Sequence, residues 1–402
     1  MIGKKRFSLK NYPLEDKIIL VRVDYNVPLD KGKVTDNTKL KLSLPTIKLL
    51  LQKNCKIVLA THLGRPNGKF VPEFKTDILA KELRKLLPKV KIVKVNDCIG
   101  KDVKEEINAA KNKQIILLEN LRFYNEEGEN DFSFAHSLAS LANVYVNDAF
   151  ANSHRKHASM AAITKFLPSL EGLTLEKEIF YLNQAVKAKK PSVWILGGSK
   201  LDKVDLINQA FKRADKILIG GALAFSFLLA KGIKVGSSKS DIKSVKTARE
   251  ILNKKIAKKI VLPVDFIVSE KFSARAKTKI VKYNEIKSNQ IALDLGPETV
   301  KLFEKYLSDA NTIVWNGPLG YFEWASFAKS TIAIGRFLGK LKAVKIVGGG
   351  ETAEAINKFH LQHNFTHISS GGGAALTFLS GKKMPGIDVL QSNYKKLKKE
   401  VN

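Results

Sequence analysis

The sequence predicts an α/β fold: two domains, each built on a doubly wound parallel sheet. Three observations predict it. Short β-branched runs recur at regular spacing along the 402 residues, with helical apolar patterns between them. The apolar parts of these runs are nearly continuous, as in strands buried on both faces, and do not alternate. Twelve such runs are more than one open sheet holds comfortably, so two sheets are expected.

In the first half the expected strands are Lys17–Asn26, Lys56–Leu63, Lys91–Val95, Ile115–Asn120 and Val144–Phe150. In the second half they are Ser192–Gly198, Lys216–Gly221, Lys259–Val268, Ile291–Gly296, Thr312–Gly317, Lys345–Gly350 and Thr366–Gly371. Between the halves, residues 171–190 have a helical apolar period, no strand signal, and a closing Lys190-Pro191. This segment is expected to be the helix joining a first domain, 1–170, to a second that starts at 191.

Composition narrows the function classes. With 44% apolar and 27% charged residues the chain has ample material for packed cores. No apolar stretch approaches the ~20 residues of a membrane span. The N-terminus lacks the apolar segment of a secretory signal, and two cysteines make neither a disulfide framework nor a zinc cluster. A cytoplasmic location is expected. The 69 basic residues against 38 acidic leave a formal charge of +31, almost all of it lysine spread along the chain. Such a surplus steers anionic ligands, but no zinc-finger, RNP-like or helix-turn-helix spacing accompanies it. Nucleic acid is therefore not expected as a partner beyond nonspecific attraction.

Ligands of open α/β sheets bind beyond the carboxyl ends of the strands. In the first half the expected strands end in Arg22-Val23-Asp24-Tyr25-Asn26, Thr61-His62-Leu63-Gly64-Arg65, Glu119-Asn120-Leu121-Arg122 and Asn147-Asp148, the last followed by His154-Arg155. Four of the ten arginines fall in these motifs. Where lysine is the default cation, an arginine points to planar, bidentate recognition of carboxylate or phosphate. A single one would read as a surface ion pair. Four at consecutive strand ends imply a small, multiply anionic substrate.

In the second half the runs end in glycine: Gly197-Gly198, Gly220-Gly221, Asn316-Gly317-Pro318, Gly348–Gly350 and Gly371–Gly373. Glycine lets backbone N–H groups approach phosphate, and a following helix N-terminus favours negative charge. One such turn is a common strand–helix junction; five in one domain indicate a nucleotide. Neither a P-loop nor a dinucleotide fingerprint is present. Lys200 follows one glycine turn and is placed to neutralise a transferring phosphoryl group. Glu351 follows another and is placed to hold Mg²⁺ or to complement the helix dipole. A small anion on one domain and a nucleotide on the other suggest a phosphotransferase working across a cleft.

The stretches Arg22–Pro28, His62–Pro66, Leu117–Phe123, Tyr145–Ser159, Ile195–Lys200, Leu262–Val268, Leu293–Val300, Val314–Glu323, Val347–Thr352, His367–Leu376 and Gly381–Ile387 follow one another along essentially the whole chain. In this order they resemble the motifs of the phosphoglycerate kinase family. The resemblance implies two Rossmann-like domains with a hinged cleft, the first holding 3-phosphoglycerate and the second, 191–386, the nucleotide. Residues 387–402 would return to the first domain. It implies Mg²⁺-dependent phosphoryl transfer between ATP and 3-phosphoglycerate, and a monomer. By motif, Asp24, Tyr25, Asn26, Lys39, His62, Leu63, Gly64, Arg65, Arg122 and Arg155 would hold 3-phosphoglycerate. Lys200, Lys203, Gly220, Gly221, Asn316, Gly317, Pro318, Glu323, Gly349, Gly350, Glu351, Thr352, Gly371 and Gly372 would serve the nucleotide, with Glu351 at the metal. Lys39, Lys200 and Arg155 would act on the transferred group.

Three departures from the family pattern stand out. Lys39 takes the place of an arginine, keeping the charge without the bidentate fork. Glu351 takes the place of an aspartate, one methylene longer. The stretch Lys200-Leu201-Asp202-Lys203 is one residue short, which turns Lys203 about 100° round a helix axis. Two further readings follow from these: a family member with a shifted carboxylate substrate, and a low-activity homologue that binds polyanions.

Overall fold

The computed structural model describes residues 6–198 and 204–401; Lys200 and Lys203 lie outside the described residues. The chain divides into two compact units. One runs to Ile179 and is completed by the segment from Lys383, and the other is Phe180–Lys382. The boundary falls inside the helix Leu173–Val186.

The first unit holds the strands β1 (Ile18–Arg22), β4 (Lys56–Ala60), β5 (Ile92–Lys94), β6 (Ile115–Leu117), β7 (Val144–Asn147) and β8 (Ser169–Glu171), and a short hairpin of β2 (Leu29–Asp30) and β3 (Lys33–Val34). The six strands form a parallel sheet in the order β5-β6-β4-β1-β7-β8. Every residue of β4, β6 and β7 is buried, which is why their sequences show no alternation. Helices such as Thr38–Gln52 cover the sheet with an apolar stripe of Leu40, Ile47 and Leu50. The register sets Arg22 level with Ala60 and with Asn147, so the motifs that follow these strands emerge at one edge. Strand β8 escapes the sequence reading because Ser-Leu-Glu has a single apolar residue.

The helix Pro385–Val401 packs on this first unit. Asn393 Oδ1 accepts the Ser169 N–H at 3.0 Å while its Nδ2 donates to Thr164 O at 2.9 Å, and Gly386 N–H donates to Ser153 O at 2.9 Å.

The second unit holds β9 (Ser192–Leu196), β10 (Lys216–Ile219), β11 (Ile260–Val261), β12 (Asp265–Ser269), β13 (Lys279–Lys282), β14 (Ile291–Leu295), β15 (Thr312–Asn316), β16 (Val344–Gly348) and β17 (His367–Ile368). Six of them form a second parallel sheet, β11-β10-β9-β15-β16-β17. The other three form an antiparallel sheet, β13-β12-β14. This corrects the strand expectations in two places. The run Lys259–Val268 is two strands in two sheets, because Pro263 cannot donate to a ladder and the chain turns there. The run Ile291–Gly296 belongs to the antiparallel sheet, and its mixed burial fits a sheet with one wetter face. Strand β13, mostly exposed and flanked by lysines, gave no sequence signal. Among the described residues no helix is long and apolar enough to cross a membrane.

Candidate active site

In the first unit the strand-end motifs meet around a basin of about 510 Å³ whose walls include Arg65, Arg122, Arg155 and His157. Backbone and side-chain groups set Arg122 and Lys39. Arg122 Nη1 donates to Gly64 O at 2.9 Å, and its own N–H is held by Asn120 Oδ1 at 3.1 Å. Asn120 also ties the two loops together, donating to Leu63 O at 2.7 Å and Phe74 O at 3.0 Å. Asn26 Oδ1 accepts the Gly64 N–H at 2.9 Å, which joins the first and second motifs. Lys39 Nζ lies 2.8 Å from Asp24 Oδ2 and donates to Asn26 O at 3.1 Å. The helix Thr38–Gln52 thus brings Lys39 onto the residues that the strand-end reading picked.

The electrostatics are those of crowded cations. Burial, then the neighbouring Arg155 and Arg22, push Arg122 down to about 10, still charged at neutral pH. Arg155 is lowered by burial and by Arg65, with Asp24 opposing. Burial and the charges of Arg22, Arg122, Lys39 and Arg155 hold the buried His62 well below the ordinary histidine range, so it is neutral near pH ~7. A multiply charged anion relieves all three. The ring of Tyr25 and the side chain of Leu63 are buried, with Tyr25 Oη 2.7 Å from Ser43 Oγ. Their backbone N–H groups are engaged too, Tyr25 donating to Thr61 Oγ1 at 3.0 Å and Leu63 to Asn120 Oδ1 at 3.3 Å, so both residues shape the site from behind.

One residue that organises this site carried no sequence signal. Glu127 has no exposed surface and accepts from Ser159 N–H at 2.8 Å and Ser159 Oγ–H at 2.6 Å. It stands in the run Asn125-Glu126-Glu127-Gly128-Glu129-Asn130, which reads as a solvated acidic face until the fold turns one carboxylate inward.

In the second unit a cavity of about 540 Å³ opens between the parallel sheet edge and the antiparallel sheet, a size suited to a small ligand. Its apolar wall includes Phe225, Phe266, Phe272, Leu293, Leu319 and Tyr321, and Glu323 and Glu351 stand among its polar lining. Phe272 packs against Tyr321 and Trp324 at ring separations of 5.1 and 4.5 Å. The sequence reading found Glu323 and Glu351 but missed this aromatic group, because Phe272 lies on a segment with no strand or glycine signal.

The glycine turns divide into two kinds. Gly197 and Gly198 donate to Asn316 O at 2.8 Å and Pro318 O at 3.0 Å, and Gly221 donates to Leu319 O at 3.0 Å. A Cβ on Gly197 would stand 2.2 Å from Pro318 O, and one on Gly317, at φ +93°, would stand 2.2 Å from Gly197 C. These glycines let three loops interlock, and their N–H groups already have partners within the unit. The Thr352 hydroxyl joins them by accepting the Gly317 N–H at 2.6 Å, and Asn316 Nδ2 donates to Gly348 O. Gly220 packs on Leu319, whose Cδ2 would stand 2.4 Å from a Cβ there. By contrast, a Cβ on Gly350 or Gly372 would meet nothing. Gly349 and Gly350 open the helix Gly350–Lys358, with Glu351 in its first turn, and Gly371 and Gly372 precede the helix Gly373–Leu379. These two helix starts present the open N–H groups that suit phosphate.

One further buried acid lines the cavity. Asp294 accepts from Ser330 N–H at 3.1 Å and Leu295 N–H at 2.9 Å, yet burial outweighs these bonds and pushes its carboxyl up to about 7.

A cationic basin on one parallel α/β unit and an apolar cavity edged by glycine turns on another define a two-domain small-molecule kinase. Comparison with known proteins makes this specific. The family profile described as phosphoglycerate kinase matches residues 9–382. The chain is similar to the phosphoglycerate kinase of Dictyoglomus turgidum, 43% identical over 396 residues, 97% of this chain and 100% of the relative. It is 44% identical over 393 residues to that of Aquifex aeolicus, covering 96% of this chain and 98% of the relative. Among solved structures it is similar to phosphoglycerate kinase from Coxiella burnetii, with a TM-score of 0.87 and 35% identity over 96% of this chain and 99% of that one. The enzyme from Pyrococcus horikoshii gives a TM-score of 0.84 and 31% identity, over 97% and 100%. The chain belongs to the phosphoglycerate kinase family.

Proposed function

We propose that the protein transfers a phosphoryl group reversibly between ATP and the carboxylate of 3-phosphoglycerate, giving ADP and 1,3-bisphosphoglycerate. The observation that supports this most directly is the crowding of Arg65, Arg122 and Arg155 round one basin, where burial and neighbouring arginines depress both Arg122 and Arg155. Such a site favours a ligand with several negative charges. Asp24, Asn26, Lys39, His62, Arg65, Arg122 and Arg155 would hold it. The nucleotide would lie in the cavity of the second unit, its base against the apolar wall, Glu323 at the ribose, and its phosphates toward Gly349–Thr352 and Gly371–Gly372.

No catalytic base is needed, because the attacking carboxylate is already ionised near neutral pH. The work of the residues is positioning, and neutralisation of charge on the transferred group. Lys39, Arg155 and Lys200 are assigned to that group. Among the described residues no cluster of three metal-ligating side chains occurs. A single exposed carboxylate, Glu351, fits a cation that takes most of its oxygens from phosphates and water. Glu351 would hold Mg²⁺, which when bound neutralises and orients the nucleotide phosphates. Direct transfer requires the two ligands to meet, so hinge closure belongs to the proposal. A cytoplasmic monomer is the form proposed.

The test is coupled ATP turnover with 3-phosphoglycerate and Mg²⁺. Turnover that Lys200→Ala lowers by about a thousandfold is expected, on the scale of losing a group that stabilises the transition state. Lys39→Arg is expected to raise kcat by up to about tenfold, as a fork replaces a point charge. Folded wild-type protein that binds ATP but turns over no 3-phosphoglycerate sinks the reading. Turnover with another phosphorylated acid in its place would favour a shifted substrate.

A further inference from the structure

Arg22 ends strand β1 at the edge where the other arginines face the basin, yet it has no exposed surface. Its guanidinium turns inward. Nε donates to Ser159 Oγ at 2.9 Å, Nη1 donates to Val23 O, and Nη2 lies 3.3 Å from His62 Nδ1 and 3.9 Å from Glu127 Oε1. Ser159 is held from three sides: its N–H and hydroxyl donate to Glu127, and its carbonyl accepts from Tyr145 Oη at 2.7 Å. Glu127 is also 3.6 Å from His157 Nδ1.

An arginine has donors only. A guanidinium N–H facing His62 Nδ1 therefore makes Nδ1 the acceptor and leaves the ring proton on Nε2. The arrangement depends on the carboxylate behind it, since a buried guanidinium without a counter-charge is strongly disfavoured. We propose that Glu127 is a positioning residue: through Ser159 and Arg22 it fixes His62 in the Nε2–H tautomer. His62 then meets the acceptor substrate as a neutral hydrogen-bond donor. The identity of that substrate rests on the kinase reading; the tautomer does not.

The experiment uses full-length protein labelled with ¹⁵N-histidine. The chain has 7 histidines, and His62 is assigned by the signal lost in His62→Gln. Long-range ¹H–¹⁵N spectra of the wild type should show the Nε2–H tautomer at His62. In Glu127→Gln and Ser159→Ala the Nδ1–H form should appear. In the same variants KM for 3-phosphoglycerate should rise about tenfold, the scale of one misplaced hydrogen bond, while KM for ATP stays within about twofold. A wild-type His62 with its proton on Nδ1 overturns the proposal without any variant. So do folded variants that keep the wild-type tautomer, or a tautomer shift with unchanged KM. If Glu127→Gln does not fold, Ser159→Ala decides alone. If the wild type has no turnover, the kinase reading fails and the spectra still judge the relay.

Discussion

The two units recognise their ligands with different materials. The basin of the first unit is lined by charged side chains, Arg65, Arg122, Arg155 and His157 among them, and behind these stand the pairs Lys39–Asp24 and Arg22–Glu127. The cavity of the second unit joins an apolar side-chain wall to a backbone edge, where the loops at Gly197, Gly221 and Gly317 are packed too closely for any side chain. Charged side chains are pulled together against their own repulsion, so their loss weakens binding but relieves the fold. Interlocked backbone has no such slack. A single added methyl must move a chain.

The sharpest way to break this comparison is Gly317→Ala. Its Cβ would enter Gly197 backbone from a left-handed conformation. We expect a loss of more than about 3 kcal/mol of stability, with loss of ATP binding, read by thermal unfolding and calorimetry. Gly373→Ala, whose Cβ meets nothing at the start of a helix, should leave stability within about 0.5 kcal/mol or improve it. Equal effects at the two positions would refute the division of the turns.

The next effect is on the other unit. Arg155→Ala should lower kcat/KM for 3-phosphoglycerate by about 10²- to 10³-fold with the melting temperature unchanged or slightly raised. A clear drop in melting temperature would show that Arg155 holds the fold and not the ligand.

The smallest effect concerns pH. Asp294 keeps its proton in the folded state up to about 7, whereas an unfolded aspartate ionises near ~3.9. Unfolding therefore releases a proton between those values. The stability this group contributes is fully present below the lower value and is lost as pH rises through the upper one. Asp148 behaves alike, its carboxyl pushed up to about 7 by burial against hydrogen bonds from Thr174. Asp294→Asn should gain a few degrees in melting temperature relative to wild type between about pH 5 and about pH 8. A constant offset across that range would show that Asp294 does not titrate there.

The α/β class and the two parallel sheets were legible in the sequence because strands buried on both faces must be apolar throughout, and runs such as Lys56–Ala60 advertise it. The cations of the basin were legible for a related reason: a parallel sheet delivers all its strand ends to one edge, so residues after the strands share a site. The antiparallel sheet was not. Its strand Lys279–Lys282 is exposed, and exposed pairing leaves little mark on composition. Nor was the difference among the glycines, since a turn whose N–H bonds another loop and one whose N–H is open have the same letters.

By itself the sequence determined most strands of the two parallel sheets and which charges stand at their ends, because these follow from local burial and chain direction. Only the tertiary structure decided which acidic residue is turned inward to Glu127's place, which arginine is withdrawn from the basin to become His62's partner, and which glycines interlock. Each of those depends on atoms far apart in the chain. Arg22 and Ser159 are 137 residues apart, and no local pattern records a hydrogen bond across that distance.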